Sequence, residues 1–494
     1  MTSIDVRTTV SILGAVLRWY AVPFLAPIAV ALLYGESPVP YAAPMLGTLA
    51  LGVGLERFER ENLQEREAFL VVSLSWLSVG LIGAVPLVIE GTGVFASPVN
   101  AAFEGMSGIT TTGATVIRDF GVHSRALLMW RQVLQWLGGL GVLLLATAVL
   151  SRLSVAGAQL MESEARTDST RLTPKIEDTA QIIGGIYAGL TALAALVLFA
   201  LGITGLAPEM TAYDAVAHAL TSVATAGFSP RAESVGAFVP VVHWVVVVFM
   251  TLGATSFVLL YALLRRDFAR LRESEEFRFY VGVLGAASLL VAGLLLTDSN
   301  YAGGPWAAVR QSVFQVTSIV TTTGYATVDF NTWSPAAKQV LFMCMFIGGM
   351  VGSTTCSIKA LRWLIVLKAF GRDLSVASHR SAVRAVRLSG EVVDEETIRD
   401  VYAYTLVALV FFLLATVLIV ADGARANQPV SEFEALTAAA STFFNIGPAF
   451  GRAGPYGTYE GFARSSKVLM TLLMWVGRIE IIPVLVLLTP NFWR

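Results

Sequence analysis

Eight stretches of at least 19 residues contain no Asp, Glu, Lys or Arg: 37–55, 68–89, 132–151, 179–208, 234–264, 279–297, 339–358 and 401–421. A bilayer core of ~30 Å is crossed by ~20 apolar residues in helical form, so each stretch is long enough to span. Two further stretches carry little charge: 11–34, interrupted by Arg18, and 466–489, with Lys467 at its edge and Arg478 and Glu480 further in. The pattern predicts an all-α integral membrane protein with ten transmembrane helices. Only 14% of the 494 residues are charged, against about 25% in soluble domains, which excludes a water-facing surface of this size. A net charge of −1 removes the electrostatic basis for a nucleic-acid partner. Cys344 and Cys356, if joined by continuous helix, would lie ~18 Å apart, too far for a disulfide. The first apolar stretch has no small-residue cleavage site and reads as a retained span.

Lys and Arg counts set the orientation. With both termini cytoplasmic, segments 1–10, 56–67, 152–178, 265–278, 359–400 and the C-terminus hold 22 basic residues, against 10 on the other side. On that outer side, 98–117, 212–230, 306–328 and 433–451 are too apolar for solvated loops, yet the apolar piece in each is only ~10–14 residues, too short to span. Each reads as a re-entrant half-helix followed by a small-residue turn. Non-helical backbone at membrane depth is tolerated only where protein or water covers its polar groups. Four such segments therefore imply a shared polar cavity.

The four segments repeat. Aligned on Gly113, Gly227, Gly324 and Gly447, they place Thr111, Thr225, Thr322 and Asn445 two residues earlier, and Thr112, Ala226, Thr323 and Ile446 between. Ser107, Thr221, Ser318 and Ser441 stand six residues before each glycine. A following span carries Gly138 and Gly139, Gly253, Gly349 or Gly477. The unit is span, half-helix, turn, span, occurring four times after two extra N-terminal spans, and parallel copies fit a pseudo-four-fold ring. The chain divides at 1–66 (two spans), 67–152 (repeat 1), 153–264 (cytoplasmic loop and repeat 2), 265–370 (repeat 3) and 371–494 (basic loop and repeat 4).

Four turns around one axis suit a dehydrated monovalent cation. Glycine reaches φ > 0 without a Cβ clash, which lets backbone carbonyls replace the ion's water. The C-terminal end of each half-helix adds partial negative charge. Asn445 and Pro448 predict a fourth wall of different shape.

These motifs resemble the Trk/Ktr/HKT superfamily of potassium transporters, nearest its TrkH branch, over nearly all the chain. Phe103-Glu104-Gly105-Met106-Ser107-Gly108, Leu172-Thr173-Pro174-Lys175-Ile176, Ala217-His218-Ala219-Leu220-Thr221 and Asn445-Ile446-Gly447-Pro448 carry the likeness. The resemblance implies a K⁺ filter at Thr111, Thr112, Gly113, Thr225, Ala226, Gly227, Thr322, Thr323, Gly324, Asn445, Ile446 and Gly447. Glycine in all four turns favours K⁺ over Na⁺. It also implies an intramembrane gate in an interrupted third-repeat helix, at Gly348, Gly349, Gly352, Ser353, Thr354 and Lys359, although Thr355, Cys356 and Ser357 depart from the glycine-rich pattern. Arg478 would face the pore below the filter. A homodimer, a cytosolic nucleotide-binding regulatory ring such as TrkA, and a prokaryotic inner-membrane location follow from the same likeness, and no organic cofactor does.

Other charged and titratable residues read more plainly. Glu480 lies ~200° around a helix from Arg478, so the two do not pair. Lys359 fits a side chain snorkelling to the interface. His218 and His243 read as packing residues, and His123 and His379 as loop residues. Glu104 and Asp119 read as solvated loop charge. The basic segment 359–400, with Arg372, Arg380, Arg384 and Arg387, suits anionic lipid or a regulatory partner. An Na⁺- or H⁺-coupled symporter is the alternative, disfavoured by eight uncharged spans. A membrane-embedded enzyme is remote, because the histidines lie in unrelated segments.

Overall fold

The computed structural model describes residues 5–61, 64–148, 176–378 and 384–493. Leu172-Thr173-Pro174-Lys175, His379 and Arg380 lie outside the described residues. Among those described, six helices are long and apolar enough to cross a membrane: Val6–Tyr34, Arg66–Glu90, Arg125–Leu144, Thr179–Ile203, Glu275–Thr297 and Glu395–Arg425. The first contains a short 3-10 turn, Val22–Phe24. In Thr179–Ile203, Glu275–Thr297 and Glu395–Arg425 only 22–28% of the apolar window is buried, against 67% in Arg125–Leu144. The first three are peripheral, and Arg125–Leu144 is central.

The other four expected spans take different forms. Val39–Leu55 is a 17-residue helix. Pro240–Gly253 and Phe257–Leu264 meet at a 106° bend. The stretch 339–358 is not a continuous helix: Pro335–Cys344 ends there, and helix resumes only at Ala360–Ser378. Between them, hydroxyls compete for the backbone, Ser353 Oγ donating to Met350 O (2.6 Å) and Ser357 Oγ to Met345 O (2.8 Å). The last stretch is Arg464–Arg478 followed by Ile482–Leu487. Glu480 and Ile481 separate them at φ of 62° and 50°.

Four half-helices lie between these spans: Pro98–Ile109, Ala212–Val223, Pro305–Val320 and Glu432–Phe443. Three of them have twelve residues, about 18 Å of helix, and Pro305–Val320 has sixteen, about 24 Å, all short of a bilayer core of ~30 Å. Their starts are built locally. Pro98 and Pro305 occupy first helical positions, where a missing N–H costs nothing. Thr211 caps the second, and Ser431 with Glu434 forms a reciprocal capping box on the fourth.

Small residues bring helices together backbone to backbone. A Cβ on Gly14 would stand 2.6 Å from Glu56 N, and one on Gly52 2.6 Å from Arg18 N. The two N-terminal helices therefore pack at a separation that only glycine permits. They also serve the first repeat. The Glu36 carboxylate accepts the N–H groups of Arg125 (2.8 Å) and Ala126 (2.9 Å), satisfying orphan donors at the start of helix Arg125–Ala148.

Candidate functional site

Each half-helix ends in the same backbone device. Thr111, Thr225, Thr322 and Asn445 adopt φ of 54°, 49°, 52° and 55°, and the glycines two residues later lie at 78°, 80°, 83° and 110°. Positive φ costs a β-branched residue ~1–3 kcal/mol unless its surroundings hold it. Here they do. The N–H groups of Thr112, Ala226, Thr323 and Ile446 donate to the carbonyls of Ser107, Thr221, Ser318 and Ser441 at 2.8–3.0 Å. The position six residues before each glycine thus works first through its backbone. Ser318 and Ser441 work through the hydroxyl as well, donating to Tyr325 O and Gly447 O at 2.7 Å each.

The four turns meet one another in order. A Cβ on Gly113 would lie 2.4 Å from Ala226 O, on Gly227 1.9 Å from Thr323 O, on Gly324 2.1 Å from Ile446 O, and on Gly447 2.7 Å from Thr112 O. Each glycine abuts the residue before the next glycine, and the fourth turn returns to the first. One cavity of about 60 Å³ is lined by all four glycines, with Arg131, Arg231 and Tyr459 on its wall. The fourth turn differs as Asn445 suggested: its Nδ2 donates to Thr112 Oγ1 (2.8 Å) and Met474 O (2.9 Å).

Glycines of the following helices press on the ends of the half-helices. A Cβ on Gly138 would meet Ile109 O at 2.0 Å, on Gly253 Val223 O at 2.5 Å, and on Gly477 Phe443 O at 1.8 Å. Gly349 does not follow suit. It faces Ala254 O at 2.7 Å, because the third following span is broken.

The broken stretch, 345–359, packs against the same turns. Thr354 Oγ1 lies 2.9 Å from Thr225 Oγ1 and donates to Gly253 O at 3.0 Å, while Cys356 N–H donates to Thr322 Oγ1 at 3.0 Å. Gly348 N–H donates to Ile358 O, and Ala360 N–H to Gly349 O, closing the loop on itself. Gly352 has φ 75°, and its carbonyl accepts Phe257 N–H across the 106° bend. Val351 N–H donates to Glu276 Oε1 at 2.8 Å. Arg478 joins loop and wall: Nη1 donates to Thr354 O (3.1 Å) and approaches Cys356 Sγ, and Nη2 donates to Gly138 O (2.8 Å). Its carbonyl partners thus belong to the loop and a neighbouring helix, not to a half-helix. Cys344 and Cys356 are both free, though the chain between them is not helical.

Several sequence readings need correction. Glu104 is no solvated charge: it is fully buried and paired with Arg131 at 2.7 Å. Lys359 does not snorkel; it is buried and donates to Thr355 O. Arg362, counted with the cytoplasmic segment, is 2% exposed and pairs with Glu480 at 2.5 Å, beneath the Tyr404 ring. The basic bias survives their removal. His123 lies in a loop as expected, but it is buried there, its Nδ1 2.8 Å from Thr92 Oγ1. His218 is a satisfied packing residue as expected, set between Asp214 O and Ser229 Oγ. Glu480 bonds Arg362, away from Arg478. The signal for Glu104 was available: a lone carboxylate in an apolar half-helix, with Arg131 at the head of an apolar run.

The family model described as "Cation transport protein", TrkH, matches residues 48–494. The chain belongs to the TrkH family. Among its relatives, the Trk system potassium uptake protein TrkH of Halomonas elongata is 34% identical, over 99% of this chain and all of that one. The protein of the same name from Escherichia coli K12 is 31% identical over 99% of both. The crystal structure of the potassium transporter TrkH from Vibrio parahaemolyticus superposes with a TM-score of 0.89 at 31% identity. It covers 99% of this chain and all of the other. A TrkH-family membership agrees with the resemblance carried by the half-helix and turn motifs.

Proposed function

We propose that this chain takes up potassium across the inner membrane of a prokaryote, through a filter formed by the four turns. The observation that carries the reading is the closed ring of contacts, each turn glycine against the residue before the next. It supports a pseudo-four-fold pore whose ion site is made of neutral backbone oxygens. The bent and broken helices, counted with the six continuous ones and Val39–Leu55, support ten spans and four half-helices. K⁺ is the cargo, and the chain is a transporter rather than an enzyme.

The loop 345–359 acts as the gate in this reading. The hydroxyl contact between Thr354 and Thr225 and the hydrogen bond from Cys356 N–H to Thr322, with Arg478 holding the loop from the side, support a closed passage. Opening requires those bonds to break together. Arg478 adds a fixed positive charge beneath the filter, which opposes a resting cation and shortens its stay. A TrkA-like nucleotide-binding ring on the cytoplasmic side would bias the loop, and the chain works as a homodimer with both termini cytoplasmic. Growth of a K⁺-uptake-deficient strain at low K⁺ tests the filter. Growth lost with Gly113→Ser or Gly324→Ser supports the reading, and growth indifferent to both refutes it.

A further inference from the structure

Counting back nine residues from each turn glycine gives Glu104, His218, Gln315 and Ala438. The three polar ones reach forward to the chain just past the glycine. Glu104 accepts Thr115 Oγ1 (2.8 Å) and Val116 N–H (2.9 Å), His218 Nε2 lies 3.0 Å from Ser229 Oγ, and Gln315 Nε2 donates to Thr327 Oγ1 (3.2 Å). Thr437 does the same in the fourth repeat, accepting Phe450 N–H at 3.2 Å. Each half-helix is thus tied across its own turn.

The second turn has an additional hold, from another repeat. Gln135, on the helix after the first turn, donates through Nε2 to Ala226 O (2.5 Å) and accepts Phe228 N–H on Oε1 (2.9 Å). One side-chain amide therefore binds the backbone on both sides of Gly227, as a neighbouring strand would. Arg131 lies four residues earlier on the same helix face. It is held by Glu104, donates to Ser229 O at 3.4 Å, and stacks 3.9 Å from the Phe228 ring.

The asymmetry has a local cause. The first and third turns are bridged internally, Thr110 Oγ1 to Thr112 Oγ1 and Thr321 Oγ1 to Thr323 Oγ1, both at 2.7 Å. Asn445 binds the fourth. The second turn has Ala224 and Ala226 at the bridging positions and no hydroxyl pair to make. On the helices that present Gly253 and Gly477, the residues matching Gln135 are Met250 and Met474, which make no such clamp.

We infer that Gln135, backed by the Arg131–Glu104 pair, is a positioning residue for ion selection. It sets the place of the second turn's oxygens in the ring and so sharpens the choice of K⁺ over Na⁺. The inference rests on the filter reading above.

Rb⁺ and Na⁺ uptake by the full-length chain in proteoliposomes tests it, through a ratio that does not depend on the amount of protein. Gln135→Leu removes both halves of the clamp; Gln135→Glu keeps the shape and the accepting half but sets a carboxylate against Ala226 O. Loss of one or two hydrogen bonds predicts a roughly three- to tenfold fall in the Rb⁺/Na⁺ ratio for either variant. Should the leucine variant not assemble, the glutamate variant carries the same prediction. Gly113→Ser is measured alongside. A lowered ratio for Gly113→Ser with unchanged ratios for the Gln135 variants overturns the clamp alone. An unchanged ratio for Gly113→Ser overturns the filter reading beneath it.

Discussion

Alanine substitutions at Gly113, Gly324 and Gly227 should impair K⁺ uptake in that order, Gly113→Ala least and Gly227→Ala most. The three glycines share nearly the same backbone, φ 78°, 83° and 80°. The strain of placing a side chain there, ~1–2 kcal/mol, is common to all three and alone predicts a ~5- to 30-fold loss of affinity if the ion site absorbs it. What differs is the neighbour. The new Cβ would stand 2.4 Å from Ala226 O at Gly113, 2.1 Å from Ile446 O at Gly324, and 1.9 Å from Thr323 O at Gly227. To reach even 3.0 Å, the facing carbonyl must retreat by about 0.6, 0.9 and 1.1 Å respectively. Those carbonyls are backbone, so the displacement moves the ring itself. The assay is initial-rate K⁺ uptake against external K⁺ in a strain lacking its own uptake systems, normalised to protein in the membrane. Gly227→Ala matching or outperforming Gly113→Ala would refute the ring geometry.

Weakening the loop should open the passage. Thr354→Val removes hydroxyl bonds to Thr225 and Gly253 O, each worth ~1 kcal/mol, and should raise basal flux about fivefold or more; unchanged flux in proteoliposomes argues against a gate there. Arg478→Ala frees Thr354 O and Gly138 O and removes the fixed charge, so both maximal flux and apparent K⁺ affinity should change. A variant indistinguishable from the parent in a K⁺ titration would leave Arg478 without a pore role. At the base of the last helix, Glu480→Gln strands the buried Arg362 and should destabilise by ~3–5 kcal/mol, whereas the double variant Arg362→Met, Glu480→Leu should recover most of the loss. Thermal unfolding in detergent compares the two, and equal melting of single and double variants counts against the pairing.

The six long apolar helices and the four turns were legible because their physics is local. Uncharged length marks a candidate span, and the hydrogen bond that closes each turn comes from its own half-helix, a few residues back in the chain. The break in the third repeat was expected from the family resemblance, with Gly348, Gly349 and Gly352 weakening helix there, but the 106° bend at Ala254–Ser256 was not. That bend depends on a carbonyl, Gly352 O, almost a hundred residues away along the chain. Glu104 and Arg362 were misread for a related reason. Each is tolerated in the interior only beside its partner, Arg131 or Glu480; the apolar half-helix around Glu104 hinted at burial, but a sequence does not display which distant charges meet. Gln135 was invisible because a glutamine in an apolar run carries no charge to flag it.

The central claim is that K⁺ rests inside the ring made by Gly113, Gly227, Gly324 and Gly447. Anomalous diffraction from crystals of this chain soaked in Rb⁺ or Tl⁺ tests it directly. The account predicts an anomalous peak enclosed by the four turns, present with Rb⁺ or Tl⁺ and weakened in Gly113→Ser. Anomalous density found only elsewhere, with the ring empty at saturating ion, would contradict it.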